Sequence, residues 1–219
     1  MAKKPALSRE RIVDASIALL DRSGEAGLTF RQLSAELATG PGAIYWHVAN
    51  KGELLLAACD AVLARTLDLT AGDATPEATL RAIALGMFDA IDAHPWVGSV
   101  LATSPGQMPA IRLLERVGQQ VRALGVPDAA QWATVSALLS YIVGSGGQNA
   151  ANARRAQAQG LVRSTFLDDV ATAWSSLDAD AFPFTRSVAG ALRAHDDRAD
   201  FLVGIDLILR GIEKGVRVN

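Results

Sequence analysis

The chain has 219 residues, of which 50% are hydrophobic and 20% are charged, and this balance excludes an intrinsically disordered protein. Its single cysteine, Cys59, excludes a disulfide framework, and three scattered histidines argue against a histidine-rich metal site. The formal net charge of −2 is not typical of a general nucleic-acid binder. It allows a small DNA-binding region on a larger, nearly neutral body.

The N-terminal segment is basic but leads into no apolar run, so we predict no secretory signal. Residues 129–153 carry no charge and are numerous enough to span a bilayer. Several Ser, Thr, Gln and Asn side chains interrupt this segment, and lipid would have to desolvate them. We therefore interpret it as a buried helix of a soluble, cytoplasmic protein that contacts no membrane.

Hydrophobic residues recur with a helical period along almost the whole chain, and no run alternates with a period of two. One stripe lies within residues 12–20, another within 80–91, and others within 132–143 and 201–212. We predict an all-α fold of nine or ten helices. Residues 1–60 are expected to form one domain and residues 61–219 a larger helical domain.

The first sixty residues contain several helix-start signals. Ser8 is placed to cap a first helix over 8–23, which the glycines of 24–27 end. Thr29 and Gln32 have the spacing of a capping box for a helix over 29–38. A second short helix, 41–47, follows a tight turn, and Asn50 is placed to cap a third. Two short helices joined by a tight turn indicate a helix-turn-helix, whose second helix enters the major groove of DNA.

The second short helix carries three consecutive large side chains, Tyr45, Trp46 and His47. Successive positions on a helix point in different directions, so these three side chains cannot all enter the core. At least one large aromatic ring must face solvent, which favours a binding surface. For each of the three residues, simple packing or ordinary exposure remains the alternative.

The segments Leu28–Leu33 and Tyr45–Lys51 resemble the DNA-binding domain of TetR-family repressors. The resemblance is specific over residues 8–60 and extends as architecture to the rest of the chain. It implies a homodimer that binds a palindromic double-stranded DNA operator and requires no metal or cofactor. It also implies that the DNA contacts come from Thr29, Arg31, Pro41, Gly42, Ala43, Tyr45, Trp46, His47 and Lys51.

The sequence departs from its relatives in the turn and in the recognition helix. Ala38 stands where glycine is frequent, and alanine is suitable there if the backbone is not left-handed. Residues 40–43, Gly-Pro-Gly-Ala, offer almost no hydrogen-bonding side chains. We therefore expect little direct base readout and more dependence on Arg31, thymine methyl contacts and DNA shape.

The remainder of the chain resembles the regulatory and dimerisation domain of the same family. The helix beginning near residue 129 has a face of small residues, and the last helix, from Asp200 to about Gly215, has a broad apolar face. The resemblance implies that these helices form a two-fold four-helix bundle, and the alternative is that both belong to the intradomain core. The small-residue face comprises Ser136, Ser140, Gly144, Gly147 and Ala151.

A sensor of this family binds a small, largely apolar effector in its regulatory domain. The candidate lining residues combine bulk with a polar tip or are apolar. Each of them is also compatible with ordinary core packing. They are Met87, Phe88, His94, Trp96, Met108, Trp132, Tyr141, Gln148, Asn149 and Trp174.

Two other functions are compatible with the sequence. Ser145 within Gly144–Gly147 suggests a nucleophile, but the segment lacks a G-x-S-x-G elbow and no strand precedes it. Cys59 lies at an apolar position of a helix, where a buried, inert thiol is expected. We therefore predict no enzyme activity. The third possibility is a DNA-binding regulator that responds to a protein partner, and a structure without a cavity of about 300 Å³ would favour it.

Overall fold

The computed structural model describes residues 6–68 and 74–218, without the side chains of residues 217 and 218. These residues form eleven helices and no strand, which confirms the all-α prediction and exceeds the predicted number of helices. The helices are α1 Arg9–Gly27, α2 Phe30–Glu36, α3 Pro41–Tyr45, α4 Lys51–Asp68, α5 Pro76–Ala93, α6 Trp96–Thr103, α7 Met108–Ala123, α8 Asp128–Ala158, α9 Arg163–Ser175, α10 Pro183–Arg193 and α11 Asp197–Val218.

The first helix begins and bends where the sequence predicts. The Ser8 hydroxyl accepts a hydrogen bond from the Arg11 amide, which caps the helix. Gly24 has a φ of 62° and interrupts the helical backbone, because a left-handed conformation is accessible to glycine at little cost. The regular part of α1 therefore ends at Gly24, before the last residue of the helix, as the glycines of 24–27 predict.

Helix α5 is the centre of the larger part of the molecule. It packs against α4, α6, α7, α8 and α11. Ile83, Met87 and Ile91 follow one another at helical spacing on α5, and all three side chains are fully buried. This apolar stripe, predicted from periodicity, joins the helices of the DNA-binding region to the longer helices behind them.

Helix α8 is 31 residues long and ends at Ala158. The polar segment 152–160 mostly continues α8, although its composition would also suit a loop. Helices α9 and α10 pack on each other as a hairpin. The hairpin is joined to α11 by an ion pair of 2.6 Å between Arg163 and Asp197.

A polar junction connects α1 to the start of α6. The Asp21 carboxylate accepts a hydrogen bond of 2.8 Å from the indole N–H of Trp96, whose side chain is buried. The same carboxylate oxygen lies 2.8 Å from Nδ1 of His94, the residue that ends α5. One acidic side chain therefore links the first helix to the boundary between α5 and α6.

No helix within residues 6–68 and 74–218 is both long and apolar enough to cross a membrane. Residues 129–153, which we interpreted as a buried helix, lie in α8, where the buried residues are Val135, Leu138, Ile142, Gly146 and Ala150. The other residues of α8 are half-buried or exposed, so only one side of this helix is buried.

Candidate functional site

Helix α2 is fixed at its start by Thr29. The Thr29 hydroxyl accepts a hydrogen bond of 3.2 Å from the Gln32 amide, as expected for an N-cap. The Gln32 side chain accepts a second bond from the same hydroxyl, at 2.9 Å, instead of bonding to the Thr29 backbone. The N-cap is therefore present, but the predicted reciprocal capping box is only half formed. Leu28 and Leu33, which hold the two positions of a hydrophobic staple around this cap, are both fully buried.

The turn after α2 is left-handed at Ala38. The Ala38 amide bonds to the Ala35 carbonyl and the Thr39 amide to the Ser34 carbonyl, the pair of bonds that defines a Schellman motif. Ala38 has a φ of 48°, a conformation that usually selects glycine. Alanine suits this position only if the backbone is not left-handed. Since the backbone is left-handed here, Ala38 is strained.

The recognition helix is shorter than predicted and presents its aromatic residues to solvent. It ends at Tyr45 instead of residue 47, and Ile44 anchors it with a fully buried side chain. The side chains of Tyr45 and Trp46 are 54% and 90% exposed. Phe30 stacks on Tyr45 with ring centroids 4.3 Å apart and planes 6° from parallel. The tyrosine ring is therefore held in a defined orientation although half of it is exposed.

The front of the recognition helix is also accessible. Pro41 and Gly42 are exposed and Ala43 is half-buried, so backbone and small side chains form this part of the surface. His47 follows the helix and is half-buried, and its carbonyl accepts a hydrogen bond of 2.8 Å from Arg9. That bond fixes the backbone behind the aromatic pair, while the His47 imidazole is not part of it.

Two cations that we predicted to contact DNA, Arg31 and Lys51, differ in their contacts within the protein. Arg31 is exposed on α2, and it has no ion-pair partner in the part of the chain that the structure describes. Lys51, in the first turn of α4, donates a hydrogen bond to the Glu25 carbonyl at the end of α1. Arg31 is therefore available to an external anion, whereas Lys51 also connects α1 to α4.

The loop between α3 and α4 is held by Glu53. Its carboxylate accepts hydrogen bonds of 2.8 Å from the Ala49 amide and 3.1 Å from Arg9. These two contacts, in that order of importance, hold the pKa of Glu53 below its ordinary value. The Glu53 amide bonds in turn to the Asn50 side chain at 2.9 Å, so the predicted cap at Asn50 is confirmed. This network fixes the exit from the recognition helix.

The regulatory part contains a cavity of about 240 Å³ between α5, α8 and α11. Four of the predicted ligand-binding residues line it: Phe88, Tyr141, Gln148 and Asn149. Three aromatic rings form one side of the cavity, which we call its floor. They stack in a column, with Phe201 between Phe88 and Tyr141. The ring centroid of Phe201 is 4.7 Å from that of Phe88 and 5.4 Å from that of Tyr141.

The other six predicted ligand residues are not brought to this cavity. Met87 is enclosed in the core, and His94 and Trp96 contact Asp21 at the junction with α1. Bulk and polarity alone do not show which way a side chain points, so the sequence could not separate these residues from those of the cavity, and their contact with a ligand stays a prediction. Of the remaining three, two are exposed at the helix surface and one is half-buried on α9; they are Met108, Trp132 and Trp174.

Sequence reasoning missed the rest of the lining. Ser145 and Asn152 continue the helical stripe of Tyr141, Gln148 and Asn149 on α8, so their spacing was sufficient to find them. The start of α11 was not predictable, because its approach depends on the path of the whole α9–α10 hairpin. That start and the preceding turn contribute His195, Asp197, Asp200 and Phe201.

A more open groove of about 400 Å³ lies farther along the seam between α8 and α11. Ala130, Ala137, Gly211 and Gly215 are among the small residues that line it. None of the residues of the predicted small-residue face of α8 is among those that line this groove. A Cβ atom added to Gly98 of α6 would lie 3.8 Å from the Cα atom of Gly147, so Gly147 faces α6 instead.

Neither candidate nucleophile has a catalytic environment. Burial raises the pKa of the Cys59 thiol to about 12, so the thiolate is absent near neutral pH. Ser145 lies within the uninterrupted helix α8, not on a strand-to-helix turn. These findings agree with the prediction that neither residue is a nucleophile.

Two family models match the chain. Residues 12–58 match the bacterial regulatory proteins of the tetR family, and residues 70–216 match the tetracyclin repressor-like C-terminal domain. An HTH-type transcriptional regulator of Saccharopolyspora erythraea is 30% identical over 213 residues, which cover 96% of this chain and 89% of the relative. The match to the C-terminal domain model, over residues 70–216, covers more than half of the chain.

Solved structures agree with this assignment. SCO7222, a TetR transcriptional regulator of Streptomyces coelicolor, is 52% identical, with a TM-score of 0.87 over 95% of this chain and 99% of the other. BioQ, solved with its double-stranded DNA operator, is 27% identical, with a TM-score of 0.58 over 87% of this chain and 100% of the other. The chain therefore belongs to the TetR family of bacterial transcriptional regulators, and it is not an enzyme.

Proposed function

We propose that this regulator is a repressor that binds a palindromic operator as a homodimer and is released by a small-molecule effector. The observation that carries the DNA-binding part is the exposed surface of the recognition helix, with Trp46 90% exposed beside the stacked ring of Tyr45. Large exposed aromatic side chains mark interaction surfaces. The operator complex of BioQ shows that a relative with this fold binds double-stranded DNA.

The contacts divide into two kinds. Arg31, the Tyr45 hydroxyl and Lys51 suit phosphate, because each offers a donor at the rim of the exposed surface. Trp46 and Ala43 offer apolar contacts to thymine methyl groups. Thr29, Pro41, Gly42 and His47 shape the approach of the backbone on either side. Base specificity then depends mainly on methyl contacts and on the shape of the operator.

Gel retardation with fragments of the promoter region that controls this gene tests the proposal. We expect a specific complex that Trp46→Ala and Arg31→Ala weaken by about tenfold each, a loss in the range of a single good contact. Arg31→Ala should also reduce the dependence of log K on log salt by about one unit. Arg154→Ala is the matched control, because Arg154 lies on α8 in the regulatory part. If the Arg31→Ala and Arg154→Ala variants bind the operator with the same affinity and the same salt dependence, the assignment of Arg31 to the DNA contacts is contradicted.

The homodimer is supported by the outer face of α8 and α11. The side chains of Trp132 and Leu207 are 71% and 60% exposed, and both lie on helices that border the open groove. An isologous contact between two such faces buries these side chains and separates the recognition helices by about 34–36 Å, one turn of DNA. We expect sedimentation to give a dimer that Leu207→Glu dissociates. A dimer that survives this substitution places the subunit contact elsewhere.

Release by an effector requires that the regulatory helices influence α1. The Asp21 carboxylate connects α1 to His94 and Trp96, and its hydrogen bonds are lost if α6 shifts relative to α1. We expect Asp21→Ala to change operator affinity by about threefold, the lower range of measured coupling energies, although Asp21 lies outside the recognition helix. Operator affinity that is unchanged in a correctly folded variant removes this junction from the coupling.

A second candidate is control by a protein partner. It is favoured by the cavity between α5, α8 and α11, which at about 240 Å³ is smaller than the size of about 300 Å³ used above as the criterion, and by the apolar surface of the α9–α10 hairpin. Phe166 and Phe184 are exposed there, the latter to 75%. If a partner binds this surface, Phe184→Ser changes repression in cells and leaves both dimerisation and operator binding of the purified protein unaltered. If the hairpin only packs against the second subunit, the same substitution weakens the dimer in sedimentation.

A further inference from the structure

We propose that the cavity of about 240 Å³ is the effector site and that it binds a compact aromatic amine, with the ring against the aromatic floor and the ammonium group at Asp200. This inference depends on the proposed release by an effector and specifies the chemistry of the ligand. A cavity of this size is below the range of about 300–1,000 Å³ typical of drug-sized ligands, so the occupant is small.

The two walls of the cavity differ in chemistry. The floor is aromatic, because the stacked rings of Phe88, Tyr141 and Phe201 belong to residues that line the cavity. A planar apolar group packs well against such a surface. The opposite wall comes from the turn before α11 and its first residues, and it carries two carboxylates, Asp197 and Asp200.

The two carboxylates of the acidic wall differ in their partners. Asp197 is paired with Arg163 at 2.6 Å and lies 2.9 Å from Nε2 of His195. Nδ1 of the same imidazole contacts Asp200. Among the described residues no arginine or lysine forms an ion pair with Asp200, whose side chain is 59% exposed. A ligand at this wall can therefore reach the Asp200 carboxylate and supply a compensating positive charge.

Nearby cations do not fill this role. Arg198, at the start of the same helix, is turned to Asp89, with hydrogen bonds of 2.8 and 3.0 Å. Gln148 and Ser145 add neutral polar groups to the lining, and no lysine or arginine is among the lining residues. The cavity therefore favours a ligand with a positive group over one with a negative group.

Three probes with the same indole ring test the charge preference: tryptamine, which is cationic, indole, which is neutral, and indole-3-acetate, which is anionic. Calorimetry with the full-length protein at pH 8 and low salt should show that tryptamine binds about fivefold more tightly than indole, as expected for a partly exposed ion pair. Indole-3-acetate should bind most weakly. An order that places indole-3-acetate first, equal affinities for tryptamine and indole, or no binding of tryptamine overturns the proposal.

Asp200→Asn locates the ammonium group. The substitution should abolish the preference for tryptamine over indole while retaining the binding of indole. Asp128→Asn is the matched control, because Asp128 is 13 residues before Tyr141 on α8 and therefore about 20 Å away. Ser145→Phe should fill the space and abolish the binding of all three probes. Binding that is unaffected by Ser145→Phe, in a variant with an unchanged melting temperature, places the probes outside this cavity and overturns the proposal.

Operator binding separates this inference from the proposed function. Retardation of the promoter fragment by the ligand-free protein does not depend on the cavity. Its result therefore tests the proposed function independently of the calorimetry. If tryptamine binds as expected but leaves the operator complex intact at saturation, the site assignment holds and release by this class of ligand is wrong. If the operator is bound and no probe enters the cavity, only the ligand class and its site are wrong.

Discussion

The helices of the DNA-binding region and those of the regulatory part begin in different ways. In residues 6–68, side chains of Ser8, Thr29 and Asn50 accept hydrogen bonds from the first amides of α1, α2 and α4. Among these first four helices only α3 begins without a side-chain cap. In the later part, side chains of Thr75 and Asp196 accept hydrogen bonds at the starts of α5 and α11, but α6 to α10 begin without any side-chain cap. Most helix starts of the first region are therefore specified by signals a few residues long, whereas most of those in the second depend on packing between distant elements.

The largest effect on stability is expected where two distant helices pack closely, at Gly204 in α11. A Cβ atom there would lie 1.9 Å from the Tyr141 hydroxyl oxygen and 2.4 Å from Cζ, and the stacked, hydrogen-bonded tyrosine has little freedom to move. We expect Gly204→Ala to lower the free energy of unfolding by about 2 kcal/mol, within the usual range for overpacking. Chemical denaturation followed by circular dichroism, at fixed protein concentration, measures this change.

Gly118 in α7 is the matched control, since a Cβ atom added there meets nothing within 4 Å. Gly118→Ala should raise the free energy of unfolding by up to about 1 kcal/mol, because alanine is the better helix former. If the two substitutions have equal effects, packing at Tyr141 is not what requires glycine at position 204.

The caps give the next largest effect. Thr29→Ala removes the side chain that bonds to the Gln32 amide, so it should lower the free energy of unfolding by about 1 kcal/mol. Gln107 holds the equivalent position of α7 but makes no side-chain bond there, and Gln107→Ala should have almost no effect. Denaturation of the two variants side by side checks the comparison. A loss at Gln107 as large as that at Thr29 contradicts the contrast between the regions.

This contrast also explains what the sequence could predict. Thr29, Asn50 and the Tyr45–Trp46–His47 run were interpreted correctly as helix ends and an exposed aromatic surface, because each depends on neighbours within a few residues. His94 and Trp96 were assigned to a ligand site, whereas they meet Asp21, more than seventy residues away. Asp197 and Asp200 were overlooked because only the tertiary fold brings them to Tyr141. Periodicity predicts which face of a helix is buried but not which helix covers it.

At Ala38 the residue type does not suit the backbone conformation, since a left-handed position usually has glycine. Its φ of 48° costs about 1 kcal/mol for a residue with a Cβ atom, and glycine avoids this cost. Glycine also has greater freedom in the unfolded chain, which offsets part of the gain. We expect Ala38→Gly to raise the melting temperature by a few degrees and to keep the Schellman bonds. A lower melting temperature would mean that the alanine side chain makes a stabilising contact in the turn.

The smallest effect is the pH dependence of the loop that follows the recognition helix. The Ala49 amide and Arg9 lower the pKa of Glu53 below its ordinary value near 4.5. A carboxylate with a lowered pKa in the folded state stabilises that state above pH 4.5, and the contribution is lost as the pH falls through the lowered value. The loop should therefore remain bonded at neutral pH and loosen only in acid.

The NMR shift of the Ala49 amide proton measures this loss, because the amide donates directly to the Glu53 carboxylate at 2.8 Å. In the wild-type protein it should titrate below pH 4.5, and in Glu53→Gln it should not titrate over that range. Glu10→Gln, in the first turn of α1, is the control and should leave the titration unchanged. If the Ala49 signal titrates in Glu53→Gln as in the wild type, another carboxylate holds the loop.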